Sequence, residues 1–142
     1  MLSQLRNIVE QVSRVENVHA ALQLLVKETC LAMHTECCTI YFANEEMQRL
    51  ELMATQGLRF KGNKIHMNYD EGLVGLVKRS AEPLNLAEAS KHPEFKYFSQ
   101  LGEEVYQSFL GTPIIHRKQV LGVLVVQQKE PRLFNEMEES FL

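Results

Sequence analysis

Cysteine and histidine offer the widest chemistry in this chain, and Cys30, His34 and Cys37 fall in a C-x3-H-x2-C pattern. Thiolates and imidazoles at short spacing are the raw material of a zinc site, and an exposed low-pKa thiolate is a nucleophile. A strand is expected to begin between His34 and Cys37, and no fourth ligand stands nearby, so a metal is not expected. Cys37 and Cys38 must point to opposite faces of that strand, and buried, inert thiols fit better. His19, His66, His92 and His116 are scattered and read as surface or loop residues. The GLVG run at 72–75 lacks the glycine spacing and the Lys-Ser/Thr of a phosphate loop, and Gly75 reads as a close helix-to-sheet contact. A helix starting at Gly72, Leu73 and Val74 offers free N–H groups to a ligand carboxylate. Asp70 and Glu71 beside it either complement the helix dipole or meet an ammonium. A helix terminus contributes ~0.3–1 kcal/mol, whereas micromolar binding needs about 8 kcal/mol, so apolar enclosure must supply most of any affinity.

The elements that hold these residues centre on 108–128, where two apolar runs flank the basic break His116, Arg117, Lys118 and Gln119. They read as antiparallel strands with apolar side chains at both parities, so both sheet faces need cover. The break has no Gly or Asn, which predicts a loop looser than the tight two-residue turn. Pro113 predicts irregular pairing, and Gly122 marks either a bulge or a close backbone approach.

Upstream, Leu2, Leu5, Val9 and Val12 form a narrow seam on a polar helix, which either packs on the second helix or pairs two copies of the chain. Asn17 caps a helix over 18–34 whose stripe is Ala21, Leu22, Leu25, Val26, Thr29 and Met33. Strands follow at 37–43, 50–54 and 65–67, the first two as a hairpin. A helix over 73–77 is capped by Asp70 or its neighbour and stopped by Pro83. A brief extended piece at 84–86 precedes a loop or short helix over 91–101 with Phe95, Tyr97 and Phe98. Asn135 caps a last helix whose apolar face, Met137, Phe141 and Leu142, has barely begun where the sequence stops, which suggests an N-terminal fragment of a longer protein. The fold class is α+β: a mainly antiparallel sheet of five to six strands, with N- and C-terminal helices on one face and loops plus a short helix on the other.

Bulk properties narrow the function classes. A chain of 142 residues, 45% hydrophobic and 23% charged, suits one domain with a full core. A net charge of -3 with both signs interspersed leaves no basic footprint for nucleic acid. No apolar run is long enough to span a bilayer, and no export signal opens the chain. Three cysteines without such a signal fit reduced thiols, so a cytoplasmic location is expected. No cofactor is expected.

The phrases DEGLVGLVKRSAEPLNL at 70–86, KHPEF at 91–95 and FLGTPIIHRKQVLGVLVV at 109–126 resemble successive signatures of the GAF domain, a small-molecule sensor module. With the opening MLSQLRNIVEQV, LAMHTECC and the closing QQKE, the whole chain is similar to the N-terminal GAF domain of nitrogen-related phosphotransferase system enzyme I, a family of phosphoenolpyruvate-protein phosphotransferases. Glu88 stands where many GAF domains carry Asp, and Ala81 where many carry Gly. No Cys-His dipeptide of the bilin-binding kind is present.

The resemblance implies a single GAF domain over 1–142 and a pocket between the sheet and the segments 69–77 and 84–98. Its candidate lining is Tyr41, Met53, Tyr69, Asp70, Glu71, Gly72, Leu73, Val74, Phe98, Phe109 and Thr112; alternatively the aromatics are simply core. The implied role is regulatory, with no catalytic residue here and the phosphoryl-accepting histidine in other domains. The implied partners are a metabolite such as glutamine or 2-oxoglutarate, downstream phosphotransfer domains, a phosphocarrier protein and a second copy bound through terminal helices. Two alternatives stand beside it: free methionine sulfoxide reductase, which uses a GAF-like fold with exposed thiolates, and a ligand-free dimerisation module.

Overall fold

The computed structural model describes residues 18–58, 65–96 and 106–141. The seam Leu2, Leu5, Val9 and Val12, the cap Asn17, Tyr97, Phe98 and Leu142 lie outside them, as does the Phe141 side chain. Helix α1 (Val18–Met33) is followed by β1 (Cys37–Asn44), β2 (Arg49–Gln56), β3 (His66–Asn68), α2 (Gly72–Ser80), β4 (Leu84–Leu86), a 3-10 turn (Ala89–Lys91), β5 (Ser108–His116), β6 (Gln119–Gln128) and α3 (Glu136–Phe141). The strands form one six-stranded sheet in the order β3-β2-β1-β6-β5-β4, antiparallel at every junction. This is the expected α+β sheet. No helix among the described residues is long and apolar enough to cross a membrane.

Both faces are covered, as the double parity of 120–126 requires. On one face Leu22, Val26, Cys30 and Met33 of α1 pack with Cys38, Ile40, Leu110, Leu124, Val126 and Phe134. On the other, Tyr41, Leu50, Phe109, Val123 and Val125 pack against Leu73, Val74 and Val77 of α2 and Ala89 of the 3-10 turn. Each large apolar side chain so enclosed contributes roughly 1.5–3 kcal/mol, against at most about 0.7 kcal/mol of helix propensity at an ordinary position.

Two local features differ from expectation, the turn between β5 and β6 and the pairing at Pro113. The β5–β6 connection is a two-residue turn: His116 faces Gln119, and Arg117 and Lys118 hold φ of 51° and 65°. Both central residues at positive φ give the turn whose twist matches the strands, and strand pairing offsets the cost of using non-glycine residues. Pro113 pairs regularly with Val123, because β4 reaches only to Gly111 and the outer side of β5 beyond it has no strand partner among the described residues. The irregularity comes later, where Ile114 faces Gly122 and Ile115 faces Val120, leaving Leu121 as an extra residue. At Gly122 both readings therefore hold, since a Cβ there would stand 2.2 Å from the Tyr41 carbonyl oxygen.

The C-terminal segment is tied down by polar contacts. Asn135 Oδ1 accepts from the Glu138 N–H at 2.9 Å, and Glu138 Oε1 accepts from the Asn135 N–H at 2.9 Å, a reciprocal cap for α3. Arg132 donates to the carbonyls of Met33 at 3.4 Å and His34 at 3.2 Å and pairs with Glu138, joining the end of α1 to the start of α3.

Candidate functional site

The face opposite α1 carries a chemically mixed cavity, lined by Leu73, Val74, Ala89, Phe95, Lys96, Tyr106, Phe109 and Gln127. The free space is about 20 Å³, room for one or two water molecules. Alternation along β5 and β6 delivers Phe109 and Gln127 to this face, and they stand directly opposite each other in the ladder. Gln127 is 5% exposed, and its Oε1 lies 3.7 Å from the Cys37 thiol.

Helix α2 closes the cavity from above. Glu71 occupies its N-cap position with extended φ and ψ, but its side chain makes no capping bond. Instead Oε1 accepts from the Asn68 N–H at 2.9 Å, and Oε2 pairs with the Lys96 ammonium. Asp70 is exposed and is not the cap. Gly72, at φ 67°, and Leu73 and Val74 are buried at the helix start. Gly75 answers to the preceding turn and not to the sheet, because a Cβ there would come within 2.6 Å of the Tyr69 carbonyl oxygen. The KHPEF turn is compact: His92 Nδ1 accepts from the Glu94 N–H at 3.0 Å, and the His92 carbonyl accepts from the Phe95 N–H at 3.0 Å. It presents Phe95 inward, and two ion pairs hold it to α2, Arg79–Glu94 at 3.7 Å and Glu71–Lys96.

Of the residues singled out from sequence, Leu73, Val74 and Phe109 meet at the cavity. Tyr41 is on the same face but 1% exposed, packed as core. Tyr69 packs at the edge of that cluster with the Lys78 ammonium 4.2 Å from its ring centre, and its hydroxyl pKa is raised to about 12, first by burial and then by the Glu45 carboxylate. Met53 and Thr112 are corrections. Tyr41 faces Leu52 while Ile40 faces Ala54, so Met53 is the extra residue of a bulge and packs toward α1. Thr112 shares the parity of Leu110 and faces Leu124, both on the α1 side, and its Oγ1 has no hydrogen-bond partner among the described residues. Phe98 lies outside the described residues.

Gln127 and Tyr106 were not anticipated. A polar residue continuing the pattern of Val123 and Val125 onto the α2 face was the available signal for Gln127. Tyr106, whose hydroxyl donates to the Gly57 carbonyl at 3.1 Å, follows an unpatterned stretch and had none.

The thiols are poorly placed for chemistry. Cys37 faces the cavity side, Cys38 and Cys30 the α1 side, and all three are buried. Burial pushes the Cys38 thiol well above its usual range, reinforced by Cys30 and Cys37, and burial also raises Cys30. Among the described residues no group of three or more His, Cys, Asp or Glu side chains could hold a metal ion.

Comparison with known proteins agrees with this geometry. The GAF domain family model matches residues 17–142. A protein of Escherichia coli K12 described as "Phosphoenolpyruvate-dependent phosphotransferase system" is 52% identical over the whole chain, which spans only 19% of that relative's length. The GAF domain of a phosphoenolpyruvate-protein phosphotransferase from Coxiella burnetii superposes with a TM-score of 0.89 at 41% identity, covering 99% of this chain and 84% of the other. A free methionine-R-sulfoxide reductase from Neisseria meningitidis, with a TM-score of 0.80 at 16% identity over 96% of this chain and 78% of its own, shares the fold alone. The six-stranded antiparallel sheet with its helices is the fold of the GAF domain family, to which this chain belongs.

Proposed function

We propose that this chain is a ligand-sensing regulatory domain of a cytoplasmic phosphoenolpyruvate-protein phosphotransferase of the nitrogen-related system. In this reading 1–142 is one domain of a longer protein, carries no catalytic residue, and biases phosphotransfer from phosphoenolpyruvate to a phosphocarrier by binding a nitrogen metabolite such as glutamine or 2-oxoglutarate. The observation that carries it is the cavity between α2 and the sheet, with Leu73, Val74, Ala89, Phe95 and Phe109 as apolar walls and Lys96 and Gln127 as polar groups. Likeness to one-fifth of a phosphotransferase supports it.

The cavity as it stands is smaller than a metabolite needs, since small-molecule sites run to roughly 300–1,000 Å³. Binding therefore requires the segment from β4 to Lys96 to lift from α2. Moving Phe95 and the KHPEF turn away from α2 breaks two half-exposed ion pairs, worth about 0–1 kcal/mol each, and uncovers apolar side chains worth roughly 1.5–3 kcal/mol each. The ligand must offset this cost by covering the same apolar walls.

Isothermal calorimetry of the chain with glutamine and with 2-oxoglutarate tests the reading. Saturable heat from at least one is expected. No heat from either would leave the ligand-free dimerisation module, in which terminal helices of two copies pair. The reductase alternative lacks support from three buried thiols, of which Cys30 and Cys38 have their pKa raised by burial.

A further inference from the structure

Six exposed large apolar side chains gather in two groups at opposite ends of the sheet, each side chain 45–68% exposed. At the hairpin end, Ile115 faces Val120 beside the β5–β6 turn, and Leu121 is the extra residue next to that pair. Met47 lies in the turn between β1 and β2, which the pairing of Phe42 with Gly122 sets at the same end. At the other end, Leu133 and Met137 stand on the segment after β6, and the Arg132 bond to the Met33 carbonyl brings in the last turn of α1 with Leu31. The ten residues of β6 separate the two groups, about 30 Å at strand spacing.

The ends carry opposite charge. Arg117 and Lys118 are exposed at the hairpin tip and make no ion pair among the described residues. In the neighbouring turn Glu45 is paired with Lys78 at 3.7 Å, which leaves Glu46 as the acid there without an ion pair among the described residues. At the far end the cations are taken, Lys129 by Glu36 at 3.9 Å and Arg132 by Glu138, whereas the exposed Glu130 and Glu136 have no such partner among the described residues. We propose that these ends dock on each other between copies: the basic, apolar β5–β6 tip of one copy of this chain seats on the acidic, apolar segment around α3 of a second copy. Like charges oppose the symmetric alternatives, hairpin on hairpin or α3 on α3, while the head-to-tail contact sets Arg117 and Lys118 against Glu130 and Glu136. Three apolar side chains a side cover less than the roughly 1,200 Å² of a stable complex, so the contact is weak and depends on concentration. Each copy in such a pair keeps one end open, so association does not stop at two unless a ring closes. The contact is independent of the cavity and of any ligand there.

Sedimentation velocity of this chain from about 20 μM to about 1 mM tests it. The average mass of the wild type is expected to rise with concentration, and about 0.5 M sodium chloride should suppress the rise by screening the charges. R117E/K118E and M137E each alter exposed side chains at one end, and both should remain monomeric at the top of that range. Mixed in equal amounts they should form a dimer that grows no further. One intact hairpin tip then meets one intact α3 segment, while the two altered ends are both acidic and repel. Far-UV circular dichroism melts report whether each variant is folded, and recovery of association on mixing cannot come from misfolded chains. A wild type that stays monomeric throughout, association that persists in either variant alone, or no complex on mixing would overturn the proposal.

Discussion

Ala81 takes the left-handed conformation, φ 55° and ψ 32°, at the C-terminal end of α2, where its N–H reaches the Val77 carbonyl at 2.9 Å. Such positions favour glycine, because a Cβ clashes there with the backbone. This explains why many GAF domains carry Gly here, and it predicts that Ala81→Gly raises stability by about 0.5–1 kcal/mol, read as a higher urea midpoint at unchanged m. The thiols give a second residue-level prediction. In native protein at pH 8, Ellman's reagent should label none of Cys30, Cys37 and Cys38 within minutes, and all three after urea unfolding. Rapid labelling of a native thiol would revive the reductase alternative. The raised thiols also set a sign: stability is full below the free-thiol value of 9.0 and falls as pH rises above it, because the unfolded chain ionises first. That Cys37 and Cys38 are buried was legible from their strand-forming neighbours. That Glu71 meets Lys96 was not, since 25 residues separate them and only the folded KHPEF turn brings them together.

At the scale of elements, β4 is pinned to the chain's last segment by one side chain. Asn85 Nδ2 donates to the Phe134 carbonyl at 2.6 Å and to Glu139 Oε1 at 3.2 Å, while Oδ1 accepts from the Phe134 N–H at 3.1 Å. A single amide thus imitates a strand partner for Phe134, whose ring is buried beneath α1. Asn85→Ala leaves a partly buried N–H and C=O without these partners, so stability should fall by about 1–3 kcal/mol. Hydrogen exchange at the Phe134 amide should accelerate more than at the central strands. Equal acceleration everywhere would mean that the bond reports only global unfolding. The strands themselves were legible because apolar side chains at both parities of 120–126 demand a sheet covered twice. The Met53 bulge was not. One extra residue in β2 reverses the facing of everything beyond it, and nothing in the run Leu50, Glu51, Leu52, Met53, Ala54 announces it. The turn at Arg117 and Lys118 was misread for the opposite reason, because residue preference pointed away from a geometry that the paired strands impose.

For the whole molecule, division of labour between the two faces is the organising feature. The α1 face is a dense apolar core joined to α3 through Arg132 and Phe134. The α2 face keeps a small cavity under a helix start and a turn held by half-exposed ion pairs. A ligand that opens the second face would move β4, and Asn85 ties β4 to α3. The family was legible from three phrases because they build α2, the KHPEF turn and the central hairpin, the parts that frame the cavity. The cavity's polar lining was less so, since Gln127, Lys96 and Tyr106 converge from separate parts of the chain.

The central claim is that small metabolites are read between α2 and the sheet. The most direct test is a titration of isotopically labelled chain with L-glutamine and, separately, with 2-oxoglutarate, following backbone amide resonances. The account predicts, for at least one of them, saturable shifts concentrated at 71–75, 89–96 and Gln127, with the outward side of α1 little changed. Shifts confined to α1 and α3, or none with either compound at millimolar concentration, would contradict it.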